Sequence, residues 1–233
     1  MKVAIVTGAS RGIGACVAEG LASDGYSVAL IARSKDGLEE LANKISKNKA
    51  GSSVSLFPLD VQDESAIKNA VAAVHSKFGR IDLLFNNAGT YVHGTLEVES
   101  EDFDQAVAIN LKAPFVFLQS VVPIMKAQKS GMILNVASRA GKIGFADCGT
   151  YGATKFGLVG LSESLYRELS PLGIKVTALC PSWVDTDMAS DSKIPTKEML
   201  RPDDILKTIH WLESMSPAAV VREIVIECNK HTA

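Results

Sequence analysis

The sequence has almost no excess of charge of either sign and no long uninterrupted apolar run. Its 233 residues include 24 basic and 26 acidic side chains, which give a formal net charge of −2. Such a balance argues against a nucleic-acid-binding surface, so no nucleic-acid partner is expected. No apolar run approaches the roughly 20 residues that a membrane-spanning helix needs, so no membrane association is expected. The first residues read as a short apolar strand, whereas a signal peptide would lead to a cleavage site.

Cysteine is scarce, and no cysteine belongs to a C-x-x-C pair. The four cysteines are scattered at Cys16, Cys148, Cys180 and Cys228. This pattern is typical of reduced thiols in a cytosolic protein, so we predict a cytoplasmic location and no metal site. The chain also has no internal repeat and no low-complexity linker, which favours one domain over residues 1–233. A chain of this length buries about 70–75% of its unfolded surface and needs no disulfide.

Short apolar runs alternate with helical patterns along the chain. The predicted strands are Val3–Val6, Ser27–Ala32, Val54–Pro58, Ile81–Phe85, Met132–Val136, Lys175–Leu179 and Val220–Glu227. The predicted helices are about Ile13–Ser23, Lys35–Lys47, Ala66–Phe78, Phe103–Gln128, Thr150–Leu169 and Asp203–Glu213. Continuous apolar runs suit strands that are buried on both faces. We therefore predict an α/β, Rossmann-like, doubly wound and mostly parallel seven-stranded sheet with helices on both faces. Its ligand should bind beyond the carboxyl ends of the strands.

A glycine-rich turn follows the first strand. Gly8, Gly12 and Gly14 separate this strand from the first helix. Glycine permits a tight turn and a close approach of the backbone to a pyrophosphate, and the helix N-terminus favours the anion. A purely structural turn is the alternative. The strand before the turn and the helix after it favour dinucleotide binding.

The end of the second strand indicates which dinucleotide is bound. A carboxylate there would hold the 2′-hydroxyl of NAD, but this strand is followed by Arg33. A guanidinium can hold a 2′-phosphate by paired hydrogen bonds, and Arg11 could add a second cation. We therefore predict NADP(H), although both arginines could instead be solvated surface charges. Asp36 is expected to cap the next helix.

Tyr151 and Lys155 lie four residues apart, and Ser138 precedes Tyr151 by thirteen positions. On a helix, side chains four apart share a face. The lysine cation should then favour the phenolate and lower the tyrosine pKa from its usual value near 10. Together with the glycine turn, this pair indicates hydride transfer at a carbonyl or an alcohol.

These motifs resemble those of the classical short-chain dehydrogenase/reductase family over nearly the whole length. The turn at residues 7–14 resembles the turn that binds the cofactor in this family. Residues 86–89 resemble its strand-four motif, and residues 60–61 resemble the pair that lies beside the adenine ring. The set that matches the family's catalytic tetrad is Asn110, Ser138, Tyr151 and Lys155. Taken singly, Ser138 could be a strand-end cap, Asn110 a helix-capping amide and Tyr151 a core aromatic. These structural alternatives are reasonable for single residues, but they do not explain why all four residues occur together.

The resemblance implies a role for each residue. Tyr151 would be the general acid, Ser138 would hold the substrate oxygen, and Lys155 would bind the nicotinamide ribose. Asn110 would bind a water that links Lys155 to solvent. The implied cofactor contacts are Gly8, Ser10, Arg11, Gly12, Ile13, Gly14, Arg33, Asp60, Val61, Asn87, Ala88, Gly89, Tyr151, Lys155, Pro181, Val184 and Thr186. The chain departs from the family at Ser182, where glycine is usual.

Candidate substrate-pocket residues are mostly apolar, which suits a small aliphatic or aromatic carbonyl. They are Tyr91, Ala140, Phe145, Cys148, Trp183 and Met188. Residues 185–198 resemble the family's substrate lid. Residues 1–90 would form the cofactor-binding half, and residues 91–233 the catalytic half.

Three functions remain open from the sequence. The first is NADPH-dependent reduction of a ketone, either a 3-oxoacyl thioester or a small carbonyl compound. The second is NADP-dependent oxidation of 3-hydroxy acids or simple alcohols. The third is a sensor that binds NADPH without turnover, which would not need the tetrad. The apolar helices Phe103–Gln128 and Thr150–Leu169 also predict a homotetramer or homodimer.

Overall fold

Seven parallel strands form the centre of the fold. The structure is a computed structural model and describes residues 1–48 and 53–230. The strands are β1 (Val3–Thr7), β2 (Ser27–Ala32), β3 (Val54–Pro58), β4 (Leu83–Asn86), β5 (Gly131–Val136), β6 (Ile174–Pro181) and β7 (Glu223–Ile226). Their order across the sheet is β3-β2-β1-β4-β5-β6-β7, and every neighbouring pair is parallel. The predicted α/β, Rossmann-like sheet is therefore confirmed.

Helices cover both faces of the sheet. They are α1 (Gly12–Ser23), α2 (Lys35–Asn48), α3 (Glu64–Phe78), α4 (Ser100–Val107), α5 (Ala113–Gln128), α6 (Gly149–Leu169) and α7 (Pro202–Ser214). Successive residues of β1 alternate between two apolar clusters, because side chains along a strand point to opposite faces. Val3 and Ile5 pack in the cluster beneath α3 and α5, and Ala4 and Val6 in the cluster beneath α1, α2 and α7.

Strand order reverses between β1 and β4, which are neighbours in the sheet. Chain connections leave this point in opposite directions, so a crevice opens beyond the carboxyl ends of the two strands. The fold therefore places the glycine turn after β1 and residues 86–89 after β4 on one edge. The sequence predicted this edge as the ligand site.

The predicted helix Phe103–Gln128 is interrupted in the structure. A π-helical turn, Ala108–Lys112, separates α4 from α5, so an extra residue is accommodated around Asn110. By length and composition, the continuous helical stretch Ser100–Gln128 would be long and apolar enough to cross a membrane. Polar residues such as Lys112 and Gln119 interrupt this stretch, so it is not the uninterrupted apolar run that the sequence analysis excluded. In the fold, Phe117 and Val121 of this stretch are buried in the core beneath the sheet.

Several element ends differ from the predicted ones because of local hydrogen bonds. Strand β4 begins at Leu83 rather than Ile81, since the Ile81 amide donates to the Gln128 side chain at 2.8 Å. The expectation that Asp36 caps α2 was wrong. Ser34 caps this helix, because its hydroxyl accepts from the Gly37 amide at 3.1 Å.

We predict that Gly14→Ala destabilises the fold, because a Cβ at this position would lie 2.2 Å from the Gly8 carbonyl oxygen. Neither backbone can retreat, so the cost should reach or exceed about 1–3 kcal/mol, the usual range for overpacking. The matched control is Gly160→Ala within α6, where a Cβ meets nothing within 4 Å and should stabilise the helix by about 0.5–1 kcal/mol. Urea unfolding measures both. A Gly14→Ala protein as stable as the wild type would contradict the tight turn.

Candidate active site

A threonine hydroxyl joins the ends of β1 and β4. The Thr7 hydroxyl oxygen accepts hydrogen bonds from the amides of Asn87 at 2.8 Å and Ala88 at 2.9 Å. In return, the Asn87 side-chain amide donates to the Thr7 carbonyl at 2.9 Å. These bonds are reciprocal and largely buried, so they fix the glycine turn against residues 87–89. The sequence did not predict that the Thr7 side chain joins these two strand ends.

The glycine turn forms a tight cradle at the start of α1. Gly8 and Gly12 have φ angles of +65° and +56°, which favour glycine. A Cβ at Gly8 would lie 2.7 Å from the Asn87 side-chain nitrogen. The first turn of α1 consists of uncharged residues, and its unpaired amides carry partial positive charge. A cradle that leaves no room for side chains and ends in a helix N-terminus fits the pyrophosphate of a dinucleotide.

The other predicted cofactor residues come from the ends of neighbouring strands. Arg33 is exposed directly after β2, while Asp60 and the buried Val61 follow β3. Pro181 ends β6, and the side chain of Thr186 lies against Gly12, 3.1 Å from the position of a Cβ there. The structure thus brings the predicted residues to one edge of the sheet.

Arg11 has a partner that the sequence did not indicate. Its guanidinium Nη1 lies 3.0 Å from the Asp187 carboxylate, and both side chains are exposed. Arg11 was expected as a second cation for a 2′-phosphate. In the structure it connects the glycine turn to the predicted lid, and its contact with a 2′-phosphate stays a prediction.

Ser138, Tyr151 and Lys155 meet where β5 ends and α6 begins. Lys155 is buried, and its Nζ donates a hydrogen bond to the Val136 carbonyl at 2.9 Å. The same nitrogen lies 5.5 Å from the centre of the Tyr151 ring. Ser138 leaves the strand two residues after Val136, and its side chain is close enough to Tyr151 to influence the pKa of the phenol. The backbone on either side of the cluster therefore holds a serine, a phenol and an ammonium group together.

Burial has the largest effect on the pKa values of Tyr151 and Lys155. It raises the pKa of Tyr151 to about 12, and the neighbouring Ser138 side chain opposes this shift only in part. Burial also lowers the pKa of Lys155 to about 8. The expectation that Lys155 lowers the Tyr151 pKa was therefore wrong for this structure. The reason is that withdrawal from water penalises both charged forms, and the ammonium donates to a carbonyl rather than to the phenol.

Asn110 is fully buried in the π-helical turn. Its Oδ1 accepts from the Thr90 amide at 2.8 Å, and its Nδ2 donates to the Thr90 carbonyl at 2.9 Å and to Thr154 Oγ1 at 3.1 Å. A Cβ on Gly89 would lie 3.3 Å from Asn110 Oδ1 and 3.6 Å from Lys155 Nζ. The amide thus anchors the loop after β4 close to Lys155. It binds this loop rather than capping a helix.

The sequence reasoning missed a buried amide chain beneath the site. Asn86 Nδ2 donates to Asn135 Oδ1 at 2.9 Å, and Asn135 Nδ2 donates to the Ser162 hydroxyl at 2.9 Å. Asn86 and Asn135 are direct partners on β4 and β5. The available signal was one asparagine at the end of each of two apolar runs. The two bonds pair the Asn86 amide nitrogen and both polar side-chain atoms of Asn135 inside the sheet.

Two candidate pocket residues lie beside Tyr151. The Tyr91 ring meets the Tyr151 ring edge-on at 5.1 Å between centroids, and Cys148 is close enough to Tyr91 to raise the pKa of its phenol. Trp183 and Met188 are 41% and 52% exposed on the segment after β6, where large apolar side chains can face a ligand. The two remaining candidates lie on the loop after Ser138: Ala140 is buried, and Phe145 packs over the Arg139 guanidinium.

The predicted lid, residues 185–198, contains two short 3-10 turns, Asp187–Ala189 and Thr196–Glu198. It is closed at its base by a bridge between Val184 and Leu200. The Asp185 amide also donates to the Leu200 carbonyl at 2.8 Å. The segment is therefore a loop with joined ends, which projects over the glycine turn.

Known proteins resemble this chain in sequence and in fold. A family model described as short chain dehydrogenase matches residues 2–196. The 3-oxoacyl-acyl-carrier-protein reductase FabG of Staphylococcus epidermidis is 37% identical over 225 residues, which is 91% of each chain.

Two solved structures have the same fold over nearly their whole length. One is a betaketoacyl-ACP reductase (FabG) from Bacteroides thetaiotaomicron, with 44% identity, a TM-score of 0.88 and coverage of 98% of this chain and 97% of the other. The other is an alcohol dehydrogenase from Thermococcus sibiricus complexed with 5-hydroxy-NADP, with 30% identity, a TM-score of 0.92 and coverage of 100% and 99%. The chain is an oxidoreductase that belongs to the short-chain dehydrogenase/reductase family.

Proposed function

We propose that this protein reduces a ketone to an alcohol with NADPH, and that the substrate is a 3-oxoacyl thioester or a small carbonyl compound. The observation that carries the proposal is the meeting of Ser138, Tyr151 and Lys155 at the same sheet edge as the glycine cradle. Bound NADPH would supply the hydride for the carbonyl carbon. The relatives named as reductases support the thioester as one substrate class.

In this proposal, Tyr151 is the proton donor. Because its pKa is raised to about 12, the phenol keeps its proton at neutral pH and can give it to the substrate oxygen. Ser138 holds the same oxygen and stabilises the charge that develops there. Lys155 is cationic below its pKa of about 8 and attracts the phenolate once the proton has left. It also holds the nicotinamide ribose, and Asn110 positions the water that links Lys155 to solvent.

NADP(H) is the cofactor that we propose, held by the cradle residues and by Arg33. Among the ion pairs of residues 1–48 and 53–230, none includes Arg33, so its exposed guanidinium can accept a phosphate. The neighbour from Thermococcus sibiricus was solved with an NADP derivative, which supports this choice. Residues 1–90 would bind the cofactor and residues 91–233 the substrate, within one domain.

Oxidation of simple alcohols is the second candidate, favoured by the 30% identical alcohol dehydrogenase. The same residues would serve both directions, with Tyr151 accepting a proton in the oxidation. A cytoplasmic location is consistent with the four free cysteines.

We expect Tyr151→Phe to lower kcat by about 10²–10⁴-fold, because it removes the proton donor. The dissociation constant for NADPH should change by less than about threefold. Turnover is measured by NADPH oxidation with ketones, keto esters and acyl thioesters, and affinity by cofactor fluorescence. Tyr166→Phe, on the same helix, is the control that keeps its activity. Undiminished turnover in Tyr151→Phe would show that Tyr151 is not the proton donor. Equal loss of turnover in Tyr151→Phe and Tyr166→Phe would show the same.

We expect Arg33→Asp to move the preference from NADPH towards NADH, because the 2′-phosphate would meet a like charge. The ratio of kcat/KM for the two cofactors should fall by at least about tenfold, which corresponds to about 1.4 kcal/mol. Lys35→Asp is the matched control, two residues further along the chain and also exposed. If the ratio is unchanged in Arg33→Asp, the 2′-phosphate is held elsewhere.

We also propose a homodimer or homotetramer. Phe103, Phe115 and Phe156 on α4, α5 and α6 are 42%, 43% and 46% exposed, which is typical of helices that pack against another subunit. Light scattering should give two or four times the chain mass of 24.8 kDa. Phe156→Asp should lower that mass by placing a charge in the contact. A wild-type mass of 24.8 kDa would contradict the assembly.

A further inference from the structure

Arg139 directly follows Ser138 and is almost completely buried. It is 6% exposed, and its Nε lies 3.3 Å from the Glu227 carboxylate, just beyond the end of β7. A buried guanidinium is costly unless a partner compensates its charge. The ion pair therefore ties the residue after Ser138 to a strand at the edge of the sheet.

The short turn that contains Arg139 is held on a second side by α6. Arg139–Gly141 forms one 3-10 turn, and a Cβ on Gly141 would lie 2.7 Å from the Lys155 carbonyl oxygen. The Ser138 hydroxyl accepts from the Ala140 amide at 3.1 Å, so the serine side chain belongs to the same turn. A shift of this turn would move the Ser138 hydroxyl relative to Tyr151 and Lys155.

Glu227 lies between two residues that hold the entry to the lid. The Ile226 carbonyl accepts from the Ser182 amide at 2.7 Å, and the Cys228 thiol donates to the Trp183 carbonyl at 3.3 Å. Ser182, which replaces the family's usual glycine, is thus fixed by β7. The residues after β7 hold the Ser138 turn through Arg139 and the lid entry through the backbone.

The Arg139 guanidinium also supports the candidate pocket. Its carbon lies 5.0 Å from the centre of the Phe145 ring, a distance at which a cation and an aromatic face attract one another. One buried cation therefore contacts Glu227, just after β7, and the loop that carries Phe145. Arg139 is positioned to set both the turn and the pocket wall.

We propose that Arg139 and Glu227 form a positioning pair, which fixes the Ser138 hydroxyl for proton transfer and holds Phe145 against the substrate. This proposal depends on the carbonyl reduction proposed above, because the pair would act on the site of that reaction. Arg139 acts through Ser138 and Phe145 and does not touch the reacting atoms. Its effect should appear in kcat through Ser138 and in the substrate KM through Phe145.

The test compares Arg139→Met, Glu227→Gln and the double variant, with ethyl acetoacetate and acetoacetyl-CoA as probes and NADPH as reductant. Each single variant should lose about 10–100-fold in kcat, because a small misplacement of a reacting group costs this much. The double variant should lose no more than the worse single one. Arg139→Lys should recover most of kcat and keep a raised substrate KM, since an ammonium keeps the ion pair but stacks poorly.

Lys142 and Glu223 provide a matched control. They link the residue after the same turn to β7 at 2.7 Å, but Lys142 is far more exposed than Arg139. Lys142→Met and Glu223→Gln should retain kcat within about twofold. Equal losses in both pairs, or a folded Glu227→Gln variant with wild-type kcat and KM, would overturn the proposal. Glu227→Gln decides the matter if Arg139→Met fails to fold, because Glu227 is partly exposed.

Hydrogen–deuterium exchange tests the pair independently of turnover. The peptide that covers residues 138–146 should exchange faster in Glu227→Gln than in Glu223→Gln, with melting temperatures unchanged. Equal exchange in the two variants would overturn the positioning pair. If the wild type fails to reduce either probe, the proposed reaction is at fault, and the exchange result alone decides whether the pair fixes the turn.

Discussion

The hydrogen bond between Lys155 and the end of β5 is the interaction on which the candidate site depends. The lysine ammonium donates to the Val136 carbonyl, and the Lys155 backbone contacts Gly141 in the turn after Ser138. Helix α6 is therefore fixed to the strand at one point, with Tyr151 one helical turn before it. A bulkier residue at Gly141, or loss of the hydrogen bond from Lys155 to Val136, would separate the serine from the phenol.

The rest of the edge is built around that point by buried polar contacts. Thr7 joins β1 to the loop after β4, Asn110 holds the next part of that loop, and Asn86 with Asn135 joins β4 to β5. Buried hydrogen bonds of this kind tolerate little displacement, because an unpaired buried group costs about 1–3 kcal/mol. The cradle and the cluster of Ser138, Tyr151 and Lys155 consequently lie on one edge held by buried contacts, while the lid is joined to it by an exposed ion pair at Arg11.

Much of this architecture was predictable because it depends on local patterns. Apolar runs placed all seven strands, and Gly8, Gly12 and Gly14 identified the turn, since only glycine fits its backbone. The contacts that cross between distant segments were not predictable. The pairing of Arg11 with Asp187 and of Arg139 with Glu227 depends on tertiary positions that spacing does not encode. The Tyr151 pKa was mispredicted for the same reason, because burial outweighs the neighbouring charge.

The central claim is that the phenol and ammonium at the end of β5 serve hydride transfer to a carbonyl carbon. The most direct measurement is the fate of deuterium from NADPH labelled at C4 of the nicotinamide, with ethyl acetoacetate as acceptor. The account predicts an alcohol product that carries one deuterium on the former carbonyl carbon. NADPH that binds but yields no labelled product from this or any ketone, keto ester or acyl thioester would contradict it.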